Sequence, residues 1–366
     1  MGIRGKAAIV GIGEVPTQEF YPGRSALGLA AEAISLALQD AQLTKDDIDG
    51  LLTPDGAGSG VAEYIGIHPS FATGVSMAGA TGATSIAVAA AAIEAGYADT
   101  IMVVISQPRD PTNRYNIAAG AGASMPGEFE GPYGPAVAAN GPYALLYQRH
   151  MYEFGTKPEQ MAQMAVNQRF NAMENPHAVF RGQPITVQDV LNSRYINEPL
   201  HLLECVMPCA GAAACIVTSA EHAKALPNRP VYLLGSGISA TESAIWMAPR
   251  ITTSPTKVSA ANALRMAGYR AADMQFAEFY DCYTILEAVC LEDAGFCPKG
   301  EIGPFFESVD TTYKGSFPIN TDGGQLSGGQ PTLAGGFRLV IEGARQFMGK
   351  AGVRQVPKND LCMGNG

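Results

Sequence analysis

Histidine and cysteine are unevenly distributed along the chain, and their absences limit the chemistry it can perform. All five histidines precede residue 223, and no cysteine precedes Cys205. Seven cysteines in 366 residues do not form a disulfide framework, so we expect reduced thiols. Cys205 and Cys209 lack a second cysteine pair or a nearby His-x-x-x-His, so the sequence predicts no metal site.

Basic clusters and long apolar runs are also missing. Charged residues make up 16% of the chain and the formal net charge is −10, so a nucleic-acid backbone would meet no basic surface. No apolar segment reaches the roughly 18 to 20 residues that a membrane-spanning helix needs, and the N-terminus lacks the layout of a signal peptide. We therefore expect a cytoplasmic protein that binds neither nucleic acid nor a membrane.

Apolar residues are plentiful, and strand-like and helix-like patterns alternate. They make up 47% of the 366 residues, which is enough for a large core. The alternation predicts an α/β protein. Strand-like segments lie at 7–12, 71–77, 100–106, 211–219, 231–239 and 274–280, and helix-like segments lie at 26–41, 79–99, near 264, at 284–295 and within 328–349.

The composition changes between residues 107 and 208, where Gly, Pro, Asn, Tyr and Met dominate. This segment is predicted to be an inserted loop domain, of the kind that often covers a binding site. It would separate an N-terminal half, residues 1–106 completed by 209–228, from a C-terminal half, residues 229–366. A glycine-rich turn opens an apolar helix at Gly79 and again at Gly328, so the two halves resemble each other.

The segment FAEFYDCYTILEAVCLEDAGFC places polar and reactive side chains where a predicted strand meets a predicted helix. Tyr280 is a candidate acid/base, or an aromatic residue whose hydroxyl satisfies a buried carbonyl. Asp281 is expected to cap the helix that begins near Thr284. Cys282 is either reactive or a small buried side chain. The remaining cysteines apart from Cys362 are expected in the core: Cys205, Cys209, Cys215, Cys290 and Cys297.

Four motifs, together with the repeated halves, resemble the thiolase superfamily over essentially the whole chain. GATGATSIAVAAAAIEAGYAD is similar to the family's nucleophile helix, EFYDCYTILEAVCLEDAGFC to the His-Asp-Cys-Phe block of sterol-carrier-type thiolases, and NTDGGQLSGGQPTLAGG to the Gly-His-Pro turn. LCMGNG resembles the Cys-x-Gly block. The resemblance implies a thiolase fold with two similar βαβαβαββ halves in a five-layered αβαβα arrangement.

The reactive positions of the family are altered in this sequence. Gly79 stands where the acylated cysteine is expected, and Tyr280 and Gln330 stand where histidines are expected. The aldolase branch of the family would have a tyrosine at the position of Gln330. Cys282 and Cys362 match the cysteines of their motifs. Because glycine cannot be acylated, the acyl-enzyme route of a thiolase is expected to be closed.

The resemblance implies a lyase that cleaves a β-hydroxyacyl-CoA by a retro-aldol reaction, with a steroid-like side chain as the expected substrate. Tyr280 would be the acid/base, and the N-H groups of Gly79 and Gly364 would stabilise the enolate. Gln330 would add a donor, and Cys282 or Cys362 would protonate the α-carbon. Two alternatives stay open: a thiolase that uses Cys282 or Cys362, and a non-catalytic subunit that binds acyl-CoA.

The same resemblance implies partners but no separate cofactor, because the CoA group belongs to the substrate. A homodimer formed through an edge strand of the first half is expected, together with a small companion protein with an OB fold and a zinc ribbon. A further strand would follow the loop that ends at Gly366, and we expect either that segment or the companion to cover the edge. The segment GIGEVP lacks the glycine spacing of a dinucleotide site, so NAD is not predicted.

Overall fold

A computed structural model describes residues 2–54, 58–109, 140–241 and 248–366. Strands are labelled β1 to β10 and helices α1 to α12 in chain order. The elements before residue 110 are β1 (Ala7–Gln18), α1 (Ala26–Ala41), β2 (Gly50–Thr53), α2 (Gly58–Ile65), β3 (Phe71–Gly74), α3 (Thr81–Glu94) and β4 (Thr100–Gln107).

The elements after residue 139 are shorter on average and more often helical. Those up to residue 232 are α4 (Asn140–Phe154), α5 (Pro158–Ala172), α6 (Val187–Asn192), β5 (Tyr195–Asn197), β6 (Leu200–His201), β7 (Ala210–Ser219), α7 (Ala220–Ala223) and β8 (Val231–Tyr232). The remaining elements are α8 (Thr256–Ala267), β9 (Phe276–Glu278), α9 (Thr284–Ala294), α10 (Ile302–Ser308), α11 (Gly324–Gly328), α12 (Leu333–Phe347) and β10 (Cys362–Gly364).

A six-stranded mixed sheet of order β3-β2-β4-β7-β1-β8 forms the centre of the first half. β2 pairs in parallel with β3 and β4, whereas β7 is antiparallel to both β4 and β1. Both faces of the sheet are covered, because β1 and β7 contribute side chains to two separate apolar clusters. Such burial on two faces explains why these strands read as nearly continuous apolar runs.

Helix α1 lies close to one face of this sheet, where glycines on β1 remove the steric barrier. A Cβ built on Gly11 would lie 2.7 Å from Cβ of Ala41, nearer than side chains approach. Ser25 caps the helix by accepting a hydrogen bond from the Gly28 N-H. The helix spans the residues that the sequence pattern predicts.

Helices α3 and α12 cover the opposite face and touch each other. A Cβ built on Gly82 of α3 would lie 2.5 Å from Cα of Phe337 of α12, so the helices approach at backbone distance. Most residues of α3 are buried, as its apolar composition predicts. This crossing places the N-terminal ends of both helices near one point.

The second half contains fewer strands than the repeat predicts. Within the described residues its sheet is the parallel pair β9 and β10, and the segment 231–239 is a strand only at Val231–Tyr232. Helix α12 begins at Leu333, not at Gly328. Apolar runs alone do not reveal these boundaries because short strands and buried coil share that composition.

The part of the predicted insertion that the structure describes packs over the loops of the second half. Arg169 Nε on α5 donates to Ser327 Oγ at 3.1 Å, and Asn171 Nδ2 donates to the carbonyl of Ile319 at 3.0 Å. Residues 110–139 of that insertion lie outside the described ranges. In the described part of the chain, no helix has the length and apolar character needed to cross a membrane.

Candidate active site

A cavity of about 700 Å³ lies where α3 begins and where β9 and β10 end. Gly79, Tyr280, Cys362 and Gly364 all contribute to its wall, so the fold brings together four of the six predicted site residues. Much of the remaining wall consists of small and apolar side chains from residues 229–239 and 254–269. The crossing of α3 and α12 explains why motifs far apart in the sequence meet here.

The aromatic ring of Tyr280 occupies the space that a side chain at position 79 would need. A Cβ built on Gly79 would lie 2.6 Å from the phenol oxygen and still closer to the ring carbons. The preceding residue, Ala78, has a φ of 48°, a conformation that is uncommon for a residue with a side chain. Glycine at position 79 is therefore a steric requirement of the Tyr280 ring.

Gln330 is hydrogen-bonded to the same phenol. Its Nε2 donates to the Tyr280 hydroxyl at 3.0 Å. The backbone of Gln330 is held on both sides, because its N-H donates to the Met207 carbonyl and its carbonyl accepts from the Cys209 N-H, each at 2.9 Å. Since the amide uses an acceptor position of the phenol oxygen, the phenol proton remains available for a ligand.

The electrostatic surroundings of Tyr280 favour the neutral phenol. Burial and then the neighbouring Cys282 raise the pKa of Tyr280 well above its ordinary value, and the hydrogen bond from Gln330 opposes the rise only in part. A phenol in this state donates a hydrogen bond or a proton at neutral pH and is a poor base. Tyr280 is predicted to act as an acid or as a base, and these surroundings favour the acid.

Asp281 does not cap the helix that begins at Thr284, contrary to the sequence-based prediction. Its Oδ1 accepts a hydrogen bond from the Gln325 N-H at 2.9 Å and its Oδ2 accepts from the Leu326 N-H at 3.0 Å. It therefore caps α11, which is distant in the sequence. Burial raises the pKa of Asp281 to about 7, although these hydrogen bonds oppose the rise. Its contacts tie the Tyr280 segment to the loop that carries Gln330.

The two candidate cysteines are placed differently. Cys282 is buried among the apolar side chains of the second half and does not contribute to the cavity wall, whereas Cys362 is half-buried and does. Burial raises the pKa of both thiols well above the ordinary value; Asp281 adds to the effect at Cys282 and Glu278 at Cys362. At neutral pH both are thiols, and a thiol is a weak nucleophile.

The five other cysteines are mostly in the core, as predicted. Cys209, Cys215 and Cys290 are buried, whereas Cys205 and Cys297 are only half-buried. Within the described ranges, no group of three histidine, cysteine or acidic side chains is placed to hold a metal ion.

Backbone donors near Gly79 are partly engaged by the turn itself. The N-H of Ala80 donates to the Met77 carbonyl at 3.0 Å and that of Thr81 to the Ala78 carbonyl at 3.1 Å. The predicted enolate-stabilising role of this turn thus depends on the N-H of Gly79. Gly364 lies in the cavity wall on β10 and is exposed.

Two side chains of the cavity wall were missed by the sequence analysis. Glu278 is fully buried at the end of β9, and the ring of Tyr143 lies 4.6 Å from that of Tyr283. A glutamate inside the apolar strand FAEFY was a recognisable signal, because buried carboxylates are rare. Tyr143 carried no comparable signal, since it lies in the predicted insertion.

Curated relatives cover nearly the whole chain. A protein of Mycobacterium tuberculosis named 17-hydroxy-3-oxo-4-pregnene-20-carboxyl-CoA lyase is 33% identical over 95% of this chain and 92% of its own length. A steroid side-chain-cleaving aldolase of Thermomonospora curvata is 33% identical over 88% of this chain and 86% of its own length. An acetyl-CoA acetyltransferase of Methanothermobacter thermautotrophicus is 31% identical over 97% of this chain and 94% of its own length.

Family and structural comparisons agree with these relatives. A model described as thiolase C-terminal domain-like matches residues 237–366. The solved Ltp2-ChsH2(DUF35) aldolase superimposes with a TM-score of 0.89 at 31% identity, covering 98% of this chain and 94% of the other. A monomeric SCP2-thiolase-like protein of Mycobacterium smegmatis shares the fold, with a TM-score of 0.73 at 20% identity over 96% of this chain and 73% of its own.

The fold and these relatives define a thiolase-type α/β protein. The chain belongs to the thiolase superfamily, in its sterol-carrier-type aldolase branch.

Proposed function

We propose that the protein is a carbon-carbon lyase that cleaves a β-hydroxyacyl-CoA by a retro-aldol reaction. The observation that carries this proposal is the contact between Gly79 and Tyr280. A phenol fills the space of the nucleophile's side chain, and Gln330 donates to its oxygen at 3.0 Å. An acyl-enzyme cannot form at this position, whereas a retro-aldol cleavage needs only donors, a proton acceptor and a proton donor.

Each site residue has a distinct part in this reaction. The Tyr280 phenol donates to the oxygen on which negative charge develops, and the N-H groups of Gly79 and Gly364 add further donors. Gln330 orients the phenol. Cys362, in the cavity wall, returns a proton to the α-carbon of the enolate. Cys282 has no part in our scheme because it is buried away from the cavity.

The proposed substrate is a CoA thioester with a bulky, steroid-like acyl group. The largely apolar wall from residues 229–239 and 254–269 and the volume of about 700 Å³ support a large apolar ligand. The names of the two lyase relatives point to the same class. We propose no cofactor beyond the CoA group of the substrate itself.

The test is a product analysis. The purified protein, with and without a co-expressed DUF35-type companion, is incubated with a steroid β-hydroxyacyl-CoA and analysed by liquid chromatography and mass spectrometry. We expect a ketone and a shortened acyl-CoA in equal amounts. Turnover that requires free CoA and releases no ketone would refute the lyase proposal.

A thiolase using Cys282 or Cys362 is the second candidate, supported by the relatives named acetyl-CoA acetyltransferase. The raised pKa values of both thiols weigh against it. Incubation with acyl-CoA followed by intact-protein mass spectrometry separates the candidates, because only the thiolase would carry an acyl group on sulfur. Binding of acyl-CoA without turnover, even with the companion present, would favour the non-catalytic alternative.

We also propose two kinds of protein partner. The DUF35 subunit of the solved relative supports a small companion. Strand β3, at the open edge of the six-stranded sheet, supports a homodimer formed through that edge.

A further inference from the structure

Glu278 is a buried carboxyl group that the reaction scheme above does not use. Its Oε1 accepts hydrogen bonds from the Thr321 N-H at 3.2 Å and from Thr321 Oγ1 at 2.7 Å. Its Oε2 is buried and has no hydrogen-bond partner among the described residues. An unpaired buried carboxyl oxygen is unfavourable for folding, so its presence in a cavity wall calls for a functional explanation.

The register of the two-stranded sheet brings Glu278 next to Cys362. Strands β9 and β10 are parallel, with Cys362 opposite Phe276 and Gly364 opposite Glu278, so all four residues share one face. The missing side chain of Gly343 leaves room on that face. A Cβ built on Gly343 would lie 3.8 Å from Glu278 Cγ and 3.9 Å from Cys362 Sγ. The two side chains therefore converge over the same point of α12.

The charges around the pair favour a proton held between them. Burial, and then the carboxylates of Glu342 and Asp322, raise the pKa of Glu278 well above its ordinary value, against the hydrogen bonds from Thr321. Burial and then Glu278 raise the pKa of the Cys362 thiol, against a hydrogen bond from the Glu278 backbone. A carboxylate whose pKa is raised accepts a proton more readily than an ordinary carboxylate.

Arginines balance the acidic groups behind Glu278 but pair with other residues. Arg354 Nη1 donates to Glu342 at 2.6 Å, and Arg338 Nη2 donates to Asp322 at 3.3 Å. Arg345 Nε also donates to Glu342, at 3.0 Å. No hydrogen bond or ion pair between these arginines and Glu278 occurs in the described ranges, so no paired cation lowers the proton affinity of the Glu278 carboxylate.

We propose that Glu278 and Cys362 form a proton relay for the lyase reaction, in which Glu278 acts through the cysteine and does not touch the substrate. This inference rests on the proposed function. The reactive form of the relay is a thiol beside an ionised Glu278, and because the pKa of Glu278 is raised, this form becomes more populated as the pH rises. The β-hydroxyl proton passes to the Cys362 sulfur as the thiol proton passes to Glu278 Oε2, and the Cα-Cβ bond then breaks to give a ketone and an enolate.

The second stage returns the proton. The enolate takes the thiol proton at its α-carbon, and Glu278 gives its proton back to the sulfur. The site then holds a thiol and a carboxylate again, and the net change is the transfer of the hydroxyl proton to the α-carbon. The relay supplies the base that the neutral phenol of Tyr280 is poorly suited to be.

The first test does not depend on turnover. Peptide mass spectrometry measures the rate at which iodoacetamide alkylates Cys362 at a series of pH values, in the wild type and in Glu278→Gln. Glutamine keeps the shape but carries no charge, so we expect the Cys362 profile to move to lower pH. Glu32→Gln is the matched control, because Glu32 lies outside the cavity wall and pairs with Arg24 at 2.6 Å. An unchanged profile in Glu278→Gln refutes the pair even if the lyase activity is confirmed.

The second test uses the lyase assay. We expect kcat of Glu278→Gln to fall about 100-fold with KM nearly unchanged, and Glu32→Gln to keep full activity. The kcat of Cys362→Ala should fall by a similar factor. The double variant Glu278→Gln, Cys362→Ala should lose no more kcat than either single variant. If the alkylation profile shifts but kcat does not, the contact is real and the relay is refuted. If Glu278→Gln does not fold, Cys362→Ala still tests the relay, because full turnover by that variant refutes it.

Discussion

Tyr280 combines a steric and a chemical change in one side chain. Its ring fills the place of a side chain at position 79, and its hydroxyl accepts from Gln330. Because burial keeps the phenol neutral, the residue is suited to stabilise a developing oxyanion through a hydrogen bond. One aromatic ring and the glycine that accommodates it therefore determine which polar group faces the cavity at this point.

Tyr280→Phe removes the phenol hydroxyl and keeps the ring. We expect kcat to fall about 100- to 1,000-fold, the usual loss when one oxyanion donor is removed, with the melting temperature little changed. Gln330→Ala should cost about tenfold or less, because it removes only the hydrogen bond that orients the phenol. Steady-state kinetics on the β-hydroxyacyl-CoA provide the measurement. Full turnover by Tyr280→Phe would remove this residue from the mechanism.

Gly79→Ala places a methyl group against the Tyr280 ring. Since its Cβ would lie 2.6 Å from the phenol oxygen, the ring must move, and we expect a destabilisation of about 1–3 kcal/mol together with loss of turnover. Gly60→Ala is the matched control, because nothing lies within 4 Å of a Cβ at that position. Urea unfolding measures both variants. Equal stability of the two would show that the ring is not confined as described.

The sequence predicted site residues that belong to a recognisable motif. It did not predict hydrogen-bond partners that depend on tertiary contacts. Motif resemblance identified Gly79, Tyr280, Gln330 and Cys362, and the fold brings these four together. The partner of Asp281 was predicted wrongly, since a capping carboxylate usually serves the nearest helix and this one serves α11.

At the scale of elements, an ion pair joins the helix of one half to the sheet of the other. Arg338 Nε on α12 donates to Glu14 Oε1 on β1 at 2.6 Å, and both side chains are almost fully buried. Burial alone would raise the pKa of Glu14, but attraction to Arg338, His177 and Arg345 outweighs it and lowers the pKa to about 2. The pair therefore fixes α12 on the first-half sheet.

Glu14→Gln leaves Arg338 buried with one carboxylate fewer. We expect a loss of about 3–5 kcal/mol in the free energy of unfolding, whereas Arg24→Gln, which breaks an exposed pair with Glu32, should lose less than about 1 kcal/mol. Because the folded-state pKa of Glu14 is lowered from 4.5 to about 2, its stabilisation is present above pH 4.5 and is lost as the pH falls toward 2. Urea unfolding from pH 6 to pH 3 should show this acid loss in the wild type and less of it in Glu14→Gln.

Element type was easier to predict than element length. Long periodic segments such as α1 and the uniformly apolar α3 were predicted as helices, and the structure confirms them. The apolar segment 231–239 was predicted as a strand, but only Val231–Tyr232 pairs with β1. Whether an apolar segment forms a strand depends on the strands available to pair with it. The composition of the segment does not reveal those partners.

At the scale of the whole molecule, the edge strand β3 makes self-association testable. Phe71 on β3 stacks on Tyr97 with ring centroids 5.7 Å apart, and Tyr97 is 66% exposed. We expect light scattering to give the mass of two chains for the wild type and of one chain for Tyr97→Asp. Tyr152→Asp is the control, since Tyr152 is 82% exposed on α4 and lies away from this edge. A monomeric wild type, with and without the companion, would contradict the proposed dimer.

The fold class was predictable for the whole chain because repeated strand-helix alternation is a long-range pattern. The predicted domain limits at 106, 208 and 228 remain predictions. Site architecture was harder to predict, because it depends on the approach of α3 and α12 at Gly82 and Phe337, which no local pattern reveals.

The contact between Gly79 and Tyr280 also constrains how this site could be converted into an acyl transferase. A thiol introduced at position 79 would collide with the ring, and a smaller residue at position 280 alone would leave an empty space with no nucleophile beside it. Each single exchange is expected to yield a protein that performs neither reaction. Only a simultaneous change at both positions opens a route between the two activities, so substitutions here are strongly epistatic.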